Sequence, residues 1–370
     1  MRIAQVTSNS YSNYGNVLQK YALNRTLKKF ADWVEVLWLN EKFFWVETGA
    51  APNPPKYIRE TYPLDFQRWY FYEAVRLAKI KDFDSRYITT RFNIPYVEEI
   101  GDDYDFFIIG SDQVWNPHWC IGFLEFAPKE KRISYAPSIA APEIPDKDKN
   151  YFRNGISSFN HVSVRESTSV RLVEELTGKK PELVLDPVMM LTADEWRDIS
   201  KPPVWFNHAR KQKYILSYCL RAFPPPALKI FADKFNLSII NLLDITSYNH
   251  YTIDPAEFVW LIDNAALVYT NSFHATVFSI LFRKPFVCYE YLEKPDERLA
   301  ERRMPDLLQM FGLSNRQVTP KENYSLKSPL EIDFSKRDKV LPKERAKSFK
   351  FLANALGVDV PQKTSRGGGR

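Results

Sequence analysis

Short apolar runs alternate along the chain with segments whose apolar residues recur every three or four positions. The first pattern predicts buried strands and the second predicts amphipathic helices. A predicted helix follows the first strand, and another at 167–176 has Ser167 as its cap and Gly178 as its end. In this first half, strands are predicted at 3–7, 33–39, 105–109, 132–135, 161–165 and 183–185. Repeated strand–helix units favour a mostly parallel sheet covered on both faces.

The same alternation restarts after residue 187. It predicts strands at 214–220, 237–243, 267–270 and 285–289, and helices at 227–235, 255–264, 272–282 and 343–356. A hinge near 188–203 divides the halves, so we predict an N-terminal α/β domain at 1–188 and a C-terminal α/β domain at 189–335. Residues 336–362 are predicted to form a C-terminal helix and 363–370 a disordered tail. The segment 45–63, rich in proline and aromatic residues, predicts an excursion or lid.

Composition narrows the class of protein. The 370 residues are 45% apolar and 26% charged, which fits a soluble globular protein of two domains. No apolar run approaches the roughly 18 residues of a membrane-spanning helix, and the amino terminus lacks a signal-peptide pattern, so a cytoplasmic location is expected. The three cysteines lack CxxC spacing, which argues against a disulfide framework or a metal site. A net charge of +6 without basic clusters argues against a nucleic-acid partner.

Four polar loops follow predicted strands, at the positions where open α/β sheets bind their ligands. The first, at 10–16, contains Asn13, Tyr14, Gly15 and Asn16, whose backbone and amide groups suit an anion or sugar hydroxyls. An ordinary capped turn between a strand and a helix explains the same residues. The aromatic content of 15% leaves a similar choice, between a packed core and a carbohydrate site.

The second loop, at 110–117, places Asp112, Gln113 and Trp115 where a sugar could lie. Asp112 could accept a hydroxyl proton as a general base, or it could cap a helix. In the third loop, Arg165 at a strand end could bind a carboxylate or a phosphate through two N–H groups, or pair with Glu166. The residues alone leave both choices open.

The fourth loop, at 270–276, contains Ser272, Phe273 and His274 at the start of a predicted helix. A histidine in the first turn of a helix can bind an anion and transfer a proton near neutral pH, and it can equally be structural. The sequence contains no GxGxxG, GxxxxGK(S/T), HExxH or GxSxG motif. Dinucleotide-binding, P-loop, zincin and α/β-hydrolase functions therefore lose their main support.

Three blocks, in this order, resemble the polysaccharide pyruvyl transferase family: NYGNVLQKYAL at 13–23, GSDQVWN at 110–116 and TNSFHATVFSI at 270–280. The blocks at 163–166 and 185–188, and Arg303 before the helical segment 307–313, are similar to that family as well. Ala275 stands where many members have glycine, so a small residue is kept. The resemblance spans most of the chain.

The resemblance implies a fold similar to the glycosyltransferase B architecture, with two Rossmann-like domains, an active site in the cleft between them, and a C-terminal helix that crosses back to the first domain. It implies transfer of pyruvate from phosphoenolpyruvate to two sugar hydroxyls as a ketal, with release of phosphate, during synthesis of a surface polysaccharide or exopolysaccharide. No cofactor and no metal are expected. The acceptor would be a sugar or a lipid-linked oligosaccharide, and peripheral contact with the inner membrane face stays open.

The same resemblance implies roles for individual residues. His274 and Asp112 are the expected catalytic residues, as general acid and general base. The expected donor ligands are Arg165, His274, Ser272, Phe273 and Arg303. The expected acceptor or anion contacts are Asn13, Tyr14, Gly15, Asn16, Gln113 and Trp115. Two alternatives stay open, namely a nucleotide-sugar glycosyltransferase with the same fold and a non-catalytic glycan-binding protein.

Overall fold

The computed structural model describes residues 1–9, 13–38, 66–92, 100, 102–118, 120–207, 213–220, 227–289, 303–318 and 329–361. The predicted excursion at 45–63 and the predicted tail at 363–370 lie outside these described residues. Part of the first predicted ligand loop, residues 10–12, lies outside them too.

The first half of the chain forms a sheet of seven described strands that pair in parallel throughout. In chain order these are β1 (Arg2–Val6), β2 (Trp33–Leu37), β3 (Thr90–Arg91), β4 (Phe106–Ile109), β5 (Arg132–Ser134), β6 (His161–Val164) and β7 (Glu182–Leu183). Their order in the sheet is β3-β2-β1-β4-β5-β6-β7. Because all strands are parallel, the loops that follow β4, β6 and β7 lie at one edge of the sheet.

The second half forms a separate sheet of five described strands, also parallel. These are β8 (Tyr214–Tyr218), β9 (Ser238–Asn241), β10 (Leu267–Thr270), β11 (Phe286–Tyr289) and β12 (Gln317–Val318). Their order is β12-β11-β10-β8-β9. The strand β10 is central and fully buried, which suits an apolar four-residue run covered on both faces. The predicted fold class, two mostly parallel α/β sheets, is confirmed.

Helices cover the sheets and connect the halves. In chain order, the described α-helices are α1 (Tyr14–Leu27), α2 (Phe66–Tyr87), α3 (Lys149–Ser157), α4 (Ser167–Thr177), α5 (Ala193–Arg197), α6 (Ala227–Phe235), α7 (Tyr248–Tyr251), α8 (Pro255–Asn264), α9 (Phe273–Phe282), α10 (Arg303–Phe311) and α11 (Ser335–Leu356). Among them, none is both long and apolar enough to cross a membrane. Two details of the prediction for α4 and α11 were wrong. Ser167 is the first residue of α4 and not its cap, and α11 begins eight residues before the predicted start.

Helix α1 packs between the two halves. The Tyr14 ring stacks on Phe258 of α8 with 4.8 Å between centroids, and its hydroxyl donates a 3.0 Å hydrogen bond to the Ile253 carbonyl. Helix α11 contacts the segment after β7, where Arg345 donates to the Met189 carbonyl at 2.7 Å and Ser348 Oγ accepts from the Leu185 N–H at 2.9 Å. One hydrophobic core therefore includes residues from both sheets and from α11. The domain boundary after residue 188 stays a prediction.

Candidate functional site

Charged side chains from distant parts of the sequence meet where the ends of the two sheets face each other. Asp112 follows β4, Arg165 follows β6, Asp186 follows β7, and His274 lies in the first turn of α9. The first three come from the carboxyl edge of the first sheet, and His274 comes from the corresponding edge of the second. Open α/β sheets bind ligands at this kind of edge, so the cluster is the candidate functional site.

Arg165 is the centre of the cluster. Its Nη1 donates to Asp186 Oδ2 at 2.7 Å, its Nη2 donates to Asp112 Oδ1 at 3.1 Å, and its Nε lies 3.7 Å from Glu166 Oε2. The side chain is only 1% exposed, and its guanidinium lies over the Phe273 ring at 4.7 Å from the centroid. The sequence left a choice between an anion ligand and an ion pair with Glu166. In the structure, Arg165 pairs with three carboxylates.

Asp112 adopts a left-handed backbone conformation, with a φ of 70°, in the loop after β4. It caps no helix. Its backbone carbonyl accepts from the Ser138 N–H at 2.8 Å, and its Oδ2 accepts from Asn16 Nδ2 at 3.2 Å. Burial raises the pKa of the Asp112 carboxyl, but the charges of Arg165, His274 and Arg303 outweigh burial and lower that pKa to about 2. Asp112 is therefore an anion at neutral pH, and it is a weak base as long as Arg165 holds it.

His274 is 5% exposed, and Ser272 supports it from the N-cap of α9 by accepting from the Ala275 N–H at 3.4 Å. The His274 Nε2 atom lies 3.6 Å from Asp186 Oδ2. This separation suits an ion pair but is longer than a hydrogen bond. The Nδ1 side of the imidazole lies against Gly15 in the first turn of α1. Thus His274 lies between α1 and the carboxylate that follows β7.

The position of the His274 imidazole leaves no room for a side chain at position 15, so glycine is required there. A Cβ atom added to Gly15 would lie 2.2 Å from His274 Nδ1 and 2.5 Å from His274 Cγ, well inside van der Waals contact. We expect Gly15→Ala to displace the His274 ring and to reduce catalysis, although alanine is the better helix former by about 1 kcal/mol. Turnover and thermal unfolding of the purified variant measure the two effects.

A double variant is the control for this prediction. In a His274→Ala background the ring is gone, so Gly15→Ala should become neutral or stabilising, and the effects of the two substitutions on unfolding should not add. Equal destabilisation by Gly15→Ala in both backgrounds would contradict the close contact between Gly15 and His274.

Arg303 reaches the site from the start of α10. Its guanidinium lies 5.8 Å from the centroid of Phe273, the ring that also contacts Arg165. With the Gln113 amide oriented so that its oxygen faces Arg303, that oxygen accepts from Nη1 at 2.9 Å and from Nη2 at 3.0 Å. Asp306, one turn further along α10, accepts from the Ser167 N–H at 2.8 Å. The contact between α10 and α4 therefore holds Arg303 beside the loops that carry Gln113 and Arg165.

Two predicted ligand residues, Tyr14 and Trp115, are part of the hydrophobic cores. Tyr14 and Trp115 are both 0% exposed. The Trp115 ring packs against Phe123 and Phe159, with centroids 5.6 Å and 5.7 Å away. Both rings are therefore enclosed by protein in this structure, and a contact between either of them and an acceptor stays a prediction. Asn13 caps α1 by accepting from the Gly15 N–H at 2.8 Å, which is the alternative that the sequence left open.

The sequence analysis missed Asp186 as a site residue. Asp186 was noted only within a block that resembles the family, although a carboxylate directly after a predicted strand and before proline is the available signal. Its pKa is lowered, because the charges of His274 and Arg165 and the Val188 N–H outweigh burial, which raises it. Asp186 is thus an anion bound between the cation Arg165 and His274.

The fold is similar to those of solved structures. A putative UDP-N-acetylglucosamine 2-epimerase from Listeria monocytogenes aligns over 98% of this chain and 99% of its own, with a TM-score of 0.51 and 9% identity. The UDP-GlcNAc 2-epimerase of Neisseria meningitidis aligns with a TM-score of 0.45 and 11% identity, over 96% of this chain and 100% of its own. The ADP-heptose LPS heptosyltransferase II of E. coli aligns with a TM-score of 0.35 and 11% identity, over 93% of this chain and 99% of its own. The two parallel sheets and the alignment with the Listeria structure show an α/β protein with the glycosyltransferase B architecture.

The family follows from the sequence match. The model of the polysaccharide pyruvyl transferase family matches residues 13–293, which is more than half of the chain, and the chain belongs to that family. No curated protein matches the sequence. The matched range contains Asp112, Arg165, Asp186 and His274, whereas Arg303 lies beyond its end.

Proposed function

We propose that this protein transfers pyruvate from phosphoenolpyruvate to two hydroxyls of a sugar, forming a pyruvate ketal and releasing phosphate. The observation that carries the proposal is the convergence of Arg165, His274 and Arg303 around Phe273, with the Asp112 carboxylate beside them. Phosphoenolpyruvate carries a carboxylate and a phosphate, so its recognition requires cationic groups in a partly buried site. The membership of the pyruvyl transferase family supports the same chemistry.

Donor binding would change the contacts of Arg165. Its Nη2 is bound to Asp112 and its Nη1 to Asp186, so an anionic donor would have to replace or share at least one of these contacts. The Asp112 contact is the longer of the two, and the Asp112 side chain is the more exposed of the two carboxylates. A donor that takes the place of Asp112 on Arg165 would weaken the cause of its low pKa. Asp112 would then become a better base once the donor is bound.

The proposed reaction has two additions at the same carbon. His274 donates a proton to the methylene carbon of the donor, and a C–H bond forms while C2 becomes electrophilic. An acceptor hydroxyl adds to C2 and its proton passes to Asp112. The C2–O bond to phosphate then breaks, and a second hydroxyl adds to close the ketal. One hydroxyl proton balances the proton added to the methylene group, and the other leaves with phosphate.

The test is to incubate the protein with phosphoenolpyruvate and a panel of sugar, oligosaccharide and lipid-linked acceptors, without added cofactor and with EDTA. We expect one acceptor class to gain the mass of a pyruvate ketal, with matching release of phosphate. Phosphoenolpyruvate should also stabilise the protein against heat, by about 2.7 kcal/mol at a concentration 100-fold above its Kd, whereas UDP- and GDP-sugars should not.

The matched control is Arg171→Ala, which removes an arginine from the exposed face of α4, where it pairs with Glu175. Its donor stabilisation should equal that of the wild type, since surface ion pairs contribute little. Stabilisation by a nucleotide sugar but not by phosphoenolpyruvate would overturn the proposal in favour of a glycosyltransferase. Binding of glycans without any turnover of phosphoenolpyruvate would overturn it in favour of a glycan-binding protein.

A further inference from the structure

Asp186 contacts both residues that are proposed to bind the donor. Its Oδ2 accepts from Arg165 Nη1 at 2.7 Å and lies 3.6 Å from His274 Nε2, while its Oδ1 accepts from the Val188 N–H at 3.0 Å. The residue is 4% exposed. The backbone contact and the Arg165 contact hold both carboxylate oxygens, so Asp186 has little freedom to turn away from the imidazole.

The surroundings of His274 Nε2 favour a proton on that nitrogen. Among the described residues, Nε2 is buried without a hydrogen-bond partner, and the Asp186 carboxylate is the group it faces. A deprotonated Nε2 would direct its lone pair at a carboxylate oxygen, which is repulsive. A protonated Nε2 would be attracted by that oxygen, and a small rotation would shorten 3.6 Å to a hydrogen bond, as often happens when a substrate binds.

We propose that Asp186 is a positioning residue that keeps a proton on His274 Nε2 and thereby makes Nδ1, on the side of Gly15, the nitrogen that takes up a second proton and passes it to the donor. The part of this inference that concerns proton transfer to the donor rests on the proposed function. The tautomer itself is a property of the free protein. The role is similar in logic to a carboxylate that orients the histidine of a hydrolytic triad.

Helix α11 holds the backbone around Asp186. The N–H before it, on Leu185, donates to Ser348 Oγ at 2.9 Å, and two carbonyls after it, on Met189 and Leu191, accept from Arg345 at 2.7 Å and 3.2 Å. Ser348 is fully buried. Because the chain is fixed on both sides of Asp186, the carboxylate is set at its place before any ligand arrives, which is what an orienting group requires.

Other charges around the imidazole do not set the tautomer. Asp112, Arg165 and Arg303 belong to the same cluster, and Asp112 and Asp186 are the carboxylates on which the charge of His274 acts. The part of α1 that packs against the imidazole is its first turn, at Gly15, and this turn carries no charged side chain. Among the described carboxylates, the one within ion-pair distance of a ring nitrogen is that of Asp186. The other charges change the strength of proton binding more than the choice between the two nitrogens.

The test is nitrogen NMR of protein labelled with 15N in its five histidines. The ring shifts report which nitrogen carries the proton in the neutral imidazole, and His274→Gln assigns the signals by their loss. We expect Nε2–H in the wild type and a mixture, or Nδ1–H, in Asp186→Asn, because an amide can offer an N–H to Nε2. Glu166→Gln is the matched control, since it removes a charge on another side of Arg165 without facing His274.

The kinetic counterpart separates orientation from folding. In Asp186→Asn, we expect kcat to fall by about 10²-fold or more, with a smaller change in KM for phosphoenolpyruvate, and Asp186→Glu should recover part of kcat. An unchanged tautomer in Asp186→Asn, or an equal change in Glu166→Gln, would overturn the inference. The NMR result does not need turnover, so a wild-type protein that is inactive with phosphoenolpyruvate would refute the proposed function alone.

Discussion

Replacing His274 by glutamine is expected to reduce phosphate release from phosphoenolpyruvate by about 10²- to 10⁴-fold, the range that a general acid contributes. Glutamine approximates the volume of the imidazole beside Gly15 and can still accept or donate hydrogen bonds, but it cannot pass a proton to carbon. Single-turnover phosphate release measures the chemical step, and calorimetric titration of phosphoenolpyruvate measures donor affinity separately.

The matched control for this variant is His161→Gln. His161 is the first residue of β6, and it lies outside the charged cluster. Its replacement should leave both the rate and the donor affinity unchanged. A near-normal rate in His274→Gln, with the variant folded, would remove His274 from the proton-transfer role and leave it at most a donor ligand.

Replacing Arg165 by methionine is expected to lower the free energy of unfolding by about 3–5 kcal/mol, the range for breaking a buried ion pair on one side. Methionine fills much of the same volume but leaves Asp112, Asp186 and Glu166 without their shared cation. Urea unfolding measures the loss, and the variant should show no stabilisation by phosphoenolpyruvate. Arg165→Lys should lose less stability, because it keeps the charge, but it cannot bind two carboxylates through a planar guanidinium.

The stability difference between wild type and Arg165→Met should depend on pH. The pKa of Asp112 is lowered to about 2 in the folded protein, so its contact with Arg165 contributes stability that is complete above the ordinary aspartate pKa of about 4. That contribution is lost as the pH falls through about 2, and the two unfolding curves should converge in this range. A difference that stays constant from neutral pH to acid would contradict the role of these ion pairs.

Local pattern predicted the regular elements well where apolar residues dominate. The strand Leu267–Thr270 and the helices Ala227–Phe235 and Pro255–Asn264 have the predicted bounds, since each is a clear apolar run or a capped amphipathic segment. Helices Phe66–Tyr87 and Lys149–Ser157 were not predicted. Both mix aromatic and charged residues with few aliphatic ones, so the aliphatic signal on which the prediction relied is weak in them.

Chemistry at the site was harder to predict than the fold. Asp112, Arg165 and His274 were selected because each follows a strand, and the parallel sheets do bring them together. The sequence could not show that Arg165 is shared among three carboxylates, since those partners are set by how the sheets face each other. For the same reason, the sequence could not show that Tyr14 and Trp115, which are predicted to contact a ligand, are fully buried.

The position of α11 beside Asp186 has a consequence for how the protein becomes active during synthesis. The segment that contains residues 112, 165 and 186 leaves the ribosome first and can form most of the first sheet. His274 follows with the second sheet. The backbone around Asp186 is held by Arg345 and Ser348, which are translated later than all four. If Asp186 has the proposed role, a nascent chain that has already folded both sheets would still lack the support of α11 for this carboxylate, and full catalytic competence would arise only as the last described helix docks.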